Sequence, residues 1–299
     1  MDRDELHSRI RRLLFASPAL ASAFARGDFR SVFRGRGIDF EALREYGEGD
    51  DARLIDWNVS VRFARPFVRT YAEDRSLTLF LLIDVSASMD AGSGELSKRD
   101  AAALTASLVA YAAQLRGMPV GALLFAGEPL RYFEPRRGKA HALAIIDAVV
   151  AARPADAARG GPDPRGGSDL GGAFESAARL LKRRSLVMTL SDFQAEGWDR
   201  PLALLARRHD AIALRVTDRL DLEPPARGAF FAADAEGSGG AWLPFSSRAY
   251  RARWAERGRE AALDARERCL EARASFLEID TGDDPVRRLL EFFDARRRP

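Results

Sequence analysis

One short stretch of the chain combines an apolar run with oxygen-bearing side chains at regular spacing. Leu79–Ile83 is an unbroken apolar run, and Asp84, Ser86 and Ser88 follow it at every second position. Such a run is typical of a buried strand, so the carboxylate and the two hydroxyls fall in the loop that leaves its carboxyl end. Hard oxygen ligands of this kind suit Mg²⁺ or Mn²⁺. Serine and aspartate also cap helices and fill turns, so the motif taken by itself fits either role.

Strand-like and helix-like segments alternate along the chain after Arg75. Short apolar runs are typical of buried strands, and the longer stretches with helical spacing between them are typical of helices. This alternation predicts an α/β fold with a doubly wound, mostly parallel sheet and helices on both faces. The predicted strands cover residues 77–83, 118–125, 185–190, 211–216 and 276–279, and the predicted helices cover 97–115, 139–152, 170–183, 248–274 and 285–293.

The first 75 residues have a different character. Apolar residues at helical spacing predict one amphipathic helix over residues 2–24. Residues 33–75 combine several glycines with strand-like runs at 54–61 and 67–71. The predicted division is an N-terminal helix with a β-rich appendage (1–75) and an α/β domain (76–299) that carries an insertion around 221–245.

Two further segments supply oxygen ligands at the same predicted edge of the sheet. Ser168 precedes a predicted helix, and Asp192 follows the predicted strand 185–190. Ligands of open parallel sheets bind outside the carboxyl ends of the strands, so these side chains are expected to lie near Asp84. With only two carboxylates the bound metal stays electrophilic, and an Asp or Glu of a partner protein can complete its shell. The predicted metal ligands are Asp84, Ser86, Ser88, Ser168 and Asp192.

This arrangement resembles the metal-ion-dependent adhesion site of the von Willebrand factor A fold. Asp84, Ser86 and Ser88 match the D-x-S-x-S motif of that family. Ser168 stands where the family usually has threonine, and Asp192 matches the aspartate of its T-D-G or S-D-F string. The resemblance implies a von Willebrand factor A-like domain that binds Mg²⁺ or Mn²⁺ and uses the metal to hold another protein.

The stretch before the sheet combines glycines with acidic, basic and aromatic residues. Its distinctive segments are Gly35–Phe40, Arg44–Tyr46, Gly49–Asp51, Arg53, Ile55–Trp57 and Arg62. These segments resemble bacterial proteins grouped as "domain of unknown function 58", which are commonly encoded beside MoxR-type AAA+ ATPases. That pairing implies an adaptor or co-chaperone that links such an ATPase to a client protein.

The charged residues of this stretch leave two interpretations open. They fit a buried ion-pair network that holds the appendage on the sheet, or a docking face for a partner. Phe40, Tyr46 and Trp57 are expected to be core aromatics that need polar partners only at their edges. The charged set consists of Arg44, Asp50, Asp51, Arg53, Asp56 and Arg62.

Composition argues against nucleic-acid and membrane partners. The chain has 47 basic and 44 acidic residues, interleaved along its length, and all but three of the basic residues are arginine. This pattern favours a coding bias over a nucleic-acid surface. No apolar run is long enough to span a membrane, and the charged N-terminus lacks the features of a signal peptide, so a cytoplasmic location is expected. The lone Cys269 is expected to be a packing residue.

Enzymatic readings of the chain lack essential groups. A haloacid-dehalogenase-like phosphatase needs a second Asp two residues after the first, where this chain has Ser86. There is no G-x-S-x-G nucleophile elbow, and Gly138-Lys139 lacks the rest of a phosphate-binding loop. We therefore expect a non-enzymatic metal-dependent protein-binding module. A phosphatase-like hydrolase that uses Asp84 and a metal-free scaffold remain the alternatives.

Overall fold

The computed structural model describes residues 3–13, 17–26, 39–47, 55–63, 65–72, 77–127, 129–152, 168–224, 230–233 and 240–296. Along the chain the elements are α1 (Arg3–Leu13), α2 (Ser17–Arg26), β1 (Asp39–Glu45), α3 (Trp57–Phe63), β2 (Phe67–Ala72), β3 (Thr78–Asp84), a 3₁₀ helix (Ala87–Asp90), α4 (Lys98–Leu115), β4 (Val120–Phe125), β5 (Pro129–Arg136), α5 (Lys139–Ala151), α6 (Leu170–Leu180), β6 (Ser185–Ser191), α7 (Asp199–Ala206), β7 (Asp210–Thr217), α8 (Arg219–Leu222), β8 (Phe230–Ala233), β9 (Gly240–Leu243), α9 (Arg248–Glu271), β10 (Ser275–Asp280) and α10 (Pro285–Ala295).

Six strands form the main sheet, in the order β10-β7-β6-β3-β4-β5. Every neighbouring pair is parallel except β4 and β5, which are antiparallel. The chain enters the sheet at β3, moves one way to β4 and β5, and then returns to the other side of β3 through β6 and β7. The predicted α/β fold with a mostly parallel, doubly wound sheet is confirmed.

The strands at the centre of the sheet are buried on both faces. Phe80 and Leu82 of β3 pack in one apolar cluster with Phe174 of α6 and Trp198 at the start of α7. Because side chains alternate across a strand, Leu81 points to the opposite face, which α4 covers. Both layers of helices exclude water from β3, which explains its continuous apolar sequence.

The two N-terminal helices belong to the α/β unit. Helices α1 and α2 pack against α4, and α2 also contacts α10. The structure divides into one unit that contains α1, α2 and the chain from Leu77 onwards, and a smaller unit formed by the sequence range Asp28–Ser76. The predicted division at residue 75 is therefore corrected, because the apolar faces of α1 and α2 are buried against helices of the α/β unit. Where the sequence predicts a single helix over residues 2–24, the structure has two helices, α1 and α2.

The smaller unit contains an antiparallel pair of strands and one short helix. β1 pairs with β2, and only the second of these was predicted. The predicted strand at 54–61 is wrong, because α3 occupies most of it. The Asp56 carboxylate accepts the backbone N–H groups of Asn58 at 3.0 Å and Val59 at 3.3 Å, which caps the first turn of this helix.

Several elements of the α/β unit were not predicted, among them the short helix α8. β5 forms an edge of the sheet, α7 lies between β6 and β7, and the antiparallel pair β8–β9 occupies part of the predicted insertion. Within the described ranges, the structure has no helix with the length and apolar character needed to cross a membrane.

Candidate metal centre

The predicted site residues lie at the carboxyl edge of the sheet, where the strand order reverses. β3 ends at Asp84, and the neighbouring strand β6 ends at Ser191, directly before Asp192. Ser168 comes from the segment that leads into α6. Its neighbour Asp169 donates its backbone N–H to the carbonyl of Ala126, beyond the end of β4, at 2.9 Å. Two adjacent strands and the entry to one helix therefore position the group.

Asp84 is the centre of the group. Its Oδ2 atom accepts hydrogen bonds from the hydroxyls of Ser168 and Ser191, each at 2.7 Å. Its Oδ1 atom accepts the backbone N–H of Ser86 at 2.9 Å. The side chain is fully buried. Three donors thus fix both oxygens of one carboxylate that has no access to solvent.

The loop after β3 brings the next two hydroxyls together. The Oγ atoms of Ser86 and Ser88 lie 3.2 Å apart, because a 3₁₀ turn begins directly after Ser86. The Arg99 guanidinium anchors this loop by donating hydrogen bonds to the carbonyls of Val85 and Ser86, each at 3.2 Å. Arg99 also pairs with Asp90 at the end of the turn, at 2.8 Å. The loop is therefore anchored to α4.

Asp192 supplies the second carboxylate, and its two oxygens differ. It is 2% exposed, and its Oδ1 atom accepts the backbone N–H of Gln194 at 3.3 Å. Its Oδ2 atom is buried and has no hydrogen-bond partner among the described residues. Phe193, with φ at +56°, turns the chain sharply after Asp192. A buried carboxylate oxygen without a donor is unfavourable unless a cation is nearby.

The two carboxylates influence each other electrostatically. Burial raises the pKa of Asp84 above the ordinary aspartate value, and the charge of Asp192 raises it further. Hydrogen bonds from Ser86, Ser191 and Ser168 act in the opposite direction. Two like charges in a buried site repel each other, and a divalent cation between them would remove that repulsion.

The residues present fit a small divalent cation. They offer only oxygen atoms, one carboxylate oxygen has no hydrogen-bond partner within the described chain, and the paired negative charges lack full compensation. Four of the five predicted ligands are linked by hydrogen bonds or short hydroxyl contacts, and Asp192 joins them through its interaction with Asp84. No group of three or more His, Cys, Asp or Glu side chains suited to a metal occurs among the described residues. A metal here would thus depend on two carboxylates and neutral hydroxyls.

Sequence reasoning missed several polar residues in and around the group, including Arg99. Ser191 is the last residue of β6, and nothing in its strand pattern marks it as a donor to Asp84. Lys98 and Asp221 form an ion pair beside Asp192 although they lie 123 residues apart. The one signal for Lys98 is its rarity, since the chain has only three lysines.

The charged stretch before the sheet is described only in part. Asp50, Asp51 and Arg53 and the side chains of Phe40 and Arg44 lie outside what the structure describes. Trp57 is 68% exposed and Tyr46 is 37% exposed. The prediction that these two are core aromatics is wrong, because both side chains are exposed to solvent.

Comparison with known proteins identifies relatives without a known function. The sequence model described as "Protein of unknown function DUF58" matches residues 42–263, a range that includes all five predicted ligands. Uncharacterized proteins of Mycobacterium tuberculosis and Mycobacterium bovis are 31% identical to this chain over 237 residues, which is 79% of this chain and 73% of theirs. An uncharacterized protein of Mycobacterium avium is 38% identical over 69 residues, which is 23% of this chain and 41% of that protein.

Proposed function

Since the chain belongs to the DUF58 family of proteins of unknown function, we propose its function from the site itself. It is a non-enzymatic module that binds Mg²⁺ or Mn²⁺ at the carboxyl edge of its sheet. The metal then binds a carboxylate of a partner protein. Asp84, Ser86, Ser88, Ser168 and Asp192 are the residues that would hold the metal.

The observation that carries this proposal is the environment of the Oδ2 atom of Asp192. It is buried beside a second buried carboxylate and accepts no hydrogen bond from the described residues. The Lys98 ammonium lies 3.8 Å from this oxygen and compensates its charge only in part, because Asp221 lies closer to the same ammonium. A buried carboxylate oxygen that accepts no hydrogen bond destabilises the folded chain. A bound cation would offset that destabilisation, which is a physical reason for retaining the arrangement.

The ligand set also explains why the metal would bind a partner. Two carboxylates balance the charge of a divalent cation, and hydroxyls add no further negative charge. A small hard cation prefers six oxygen ligands and keeps positions for water or for another carboxylate. When bound, the metal supplies an electrophilic contact for an Asp or Glu side chain of the partner.

The proposed partner class comes from the resemblance described above. Proteins similar to this chain are commonly encoded beside MoxR-type AAA+ ATPases, so we propose that it links such an ATPase to a client. The metal edge would hold one of these two proteins. A MoxR-type ATPase is therefore the first partner to test.

Calorimetric titration tests the metal site. The wild-type chain is expected to bind one Mg²⁺ or Mn²⁺, and Asp84→Asn is expected to lose that binding. Asn has nearly the shape of Asp, and the hydroxyls of Ser168 and Ser191 can rotate to accept its N–H groups. Asp147→Asn is the matched control, because Asp147 is an exposed residue of α5 that pairs with His7.

The same variants test adhesion. Capture of the ATPase or of a client should require Mg²⁺, disappear with EDTA and disappear in Asp84→Asn, but persist in Asp147→Asn. Metal-independent capture by Asp84→Asn would contradict the mechanism. Absence of cation binding to the wild-type chain would instead favour a metal-free scaffold.

The geometry gives less support to a phosphatase-like hydrolase. A nucleophilic carboxylate must reach the substrate, whereas Asp84 is fully buried and both its oxygens accept hydrogen bonds. Among the residues that the structure describes, the hydrogen-bond partners of the Asp84 carboxylate are three serines and no histidine. We therefore assign Asp84 the role of a ligand in this proposal.

A further inference from the structure

A buried lysine lies beside the candidate metal centre. Lys98 is 2% exposed and is the first residue of α4. Its Nζ atom is 2.9 Å from Oδ2 of Asp221 and 3.8 Å from Oδ2 of Asp192. It also donates a hydrogen bond to Oδ1 of Asp221 at 3.0 Å. One ammonium group is thus shared unequally between a candidate metal ligand and a second carboxylate.

The ion pair between Lys98 and Asp221, called the bridge below, is held at both ends by the fold. At the lysine end, Ser97 and Asp100 form a capping box that sets where α4 begins. At the other end, the Asp221 carboxylate accepts the backbone N–H of Asp218 at 3.0 Å. Asp221 cannot move far without breaking its contact with Asp218, and burial restricts the side chain of Lys98. The position of the ammonium between its two acceptors is therefore a property of the native structure.

The bridge places a positive charge close to the oxygen that a metal needs. The Oδ2 atom of Asp192 has no hydrogen-bond partner in the described chain, and Lys98 is the cation paired with it. A divalent cation on this oxygen would be close to the ammonium and repelled by it. The repulsion would be strong, because buried charges are poorly screened. Asp221 acts in the opposite sense, since it draws the ammonium away from Asp192.

We propose that Lys98 is a positioning residue that sets the metal affinity of the site, with Asp221 controlling how strongly it competes for Asp192. This inference rests on the proposed function, because it concerns the same metal centre. Lys98 keeps the binding of Mg²⁺ weak and reversible. It also limits the negative charge around the metal, so that the metal retains affinity for a carboxylate of the partner.

Two substitutions should change the affinity in opposite directions. Lys98→Met removes the competing charge and should lower the dissociation constant for Mg²⁺ by about tenfold or more. Asp221→Asn keeps an oxygen that can accept the N–H of Asp218 but releases the ammonium towards Asp192. It should raise the dissociation constant several-fold. The matched control is Lys139→Met, because Lys139 is the exposed first residue of α5 and its replacement removes the same charge from an equivalent helix position.

The measurements are calorimetric titration with Mg²⁺ and the rise in melting temperature that saturating Mg²⁺ produces. Lys98→Met should show a larger metal-induced rise than the wild-type chain, because the uncompensated carboxylates destabilise its metal-free form. Asp221→Asn should show a smaller rise. If Lys98→Met fails to fold without metal, the proposal is judged on Asp221→Asn, and on whether Mg²⁺ restores folding to Lys98→Met.

The outcomes separate this inference from the proposed function. Unchanged affinities in both variants, or changes of the same sign, overturn the role of Lys98 while the metal site stands. Absence of binding in the wild-type chain and in all variants overturns both proposals. Binding by Lys98→Met alone would show that the lysine blocks the site, and it would overturn the proposed function, which requires the wild-type chain to bind the metal.

Discussion

The charge on Asp84 opposes folding in the absence of metal. Burial and the charge of Asp192 both raise the pKa of Asp84, so the ionised form is less favourable in the folded chain than in the unfolded one. We predict that metal-free Asp84→Asn is more stable than the metal-free wild-type chain by about 1 to 2 kcal/mol. Urea denaturation at pH 7 in EDTA measures this difference. A less stable variant would show that the hydrogen bonds to Asp84 outweigh the repulsion.

His209 gives the fold a sensitivity to acid that is independent of the metal centre. It is 2% exposed, and its Nδ1 atom accepts the backbone N–H of Ser185 at 3.2 Å. Burial lowers the pKa of His209 to about 4, with smaller contributions from Arg208 and Arg184. Protonation would remove the acceptor and place a charge in the interior. The folded state therefore binds this proton less readily than the unfolded state does.

Because the pKa of His209 is lower in the folded chain than in the unfolded one, its contribution to stability is fully present above about pH 6.5. That contribution is lost as the pH falls from about 6.5 to about 4. We predict a loss of roughly 2 kcal/mol over this range, and a smaller loss in His209→Asn, which keeps an oxygen to accept the Ser185 N–H. Urea denaturation at several pH values makes the comparison. Identical pH profiles for the two proteins would exclude His209 as the cause.

Gly258 allows two helices to approach closely. It lies inside α9, and a Cβ atom added there would be 2.2 Å from the backbone oxygen of Asp221 in α8. Trp254 of the same helix donates its indole N–H to the carbonyl of Leu220 at 2.8 Å. The long helix thus supports the short helix that carries Asp221.

We predict that Gly258→Ala destabilises the chain by about 1 to 3 kcal/mol, although alanine is the better helix former. Gly171→Ala is the matched control. Gly171 also lies in a helix, but its added Cβ would be 3.6 Å from the nearest atom. This variant should be neutral or up to about 1 kcal/mol more stable. Thermal unfolding of both variants tests the close approach, and equal effects would contradict it.

Elements with an unambiguous pattern could be predicted from the sequence. β3 and β6 are buried on both faces, so their apolar runs are clear. β5 was missed because it is a largely exposed edge strand with a proline at its start. The strand predicted at 54–61 failed because the cap that Asp56 provides outweighs the β-branched residues of α3.

The candidate site also has residues that the sequence predicts and residues that it does not. Asp84, Ser86 and Ser88 follow a recognisable strand, and a general rule about parallel sheets brings Ser168 and Asp192 to the same edge. Lys98 and Asp221 could not be paired, because they lie 123 residues apart and only the tertiary structure brings their side chains together. In addition, a lysine or an aspartate near the end of a helix is common and does not by itself indicate a functional site.

The two N-terminal helices are part of the α/β unit. Leu20 of α2 is fully buried, and α2 packs against α4, whose first turn carries Lys98 and Arg99. We predict that Leu20→Ala destabilises the unit by about 2 to 4 kcal/mol. Leu204→Ala is the control, since that side chain is 51% exposed, and it should change stability by less than about 1 kcal/mol. Urea denaturation followed by circular dichroism should show one shifted transition for Leu20→Ala. An unshifted main transition would mean that α2 is dispensable.

The single cysteine of the chain has a practical consequence. Cys269 lies in the apolar cluster between α9 and the sheet, and burial raises its pKa to about 12 although Arg268 opposes the change. A thiol that is both inaccessible and protonated does not react with alkylating dyes while the chain is folded. A cysteine introduced on the exposed surface, for example at Leu263, would then be the one position that takes a fluorophore or a spin label. The chain can therefore be labelled at chosen points without first removing its own cysteine.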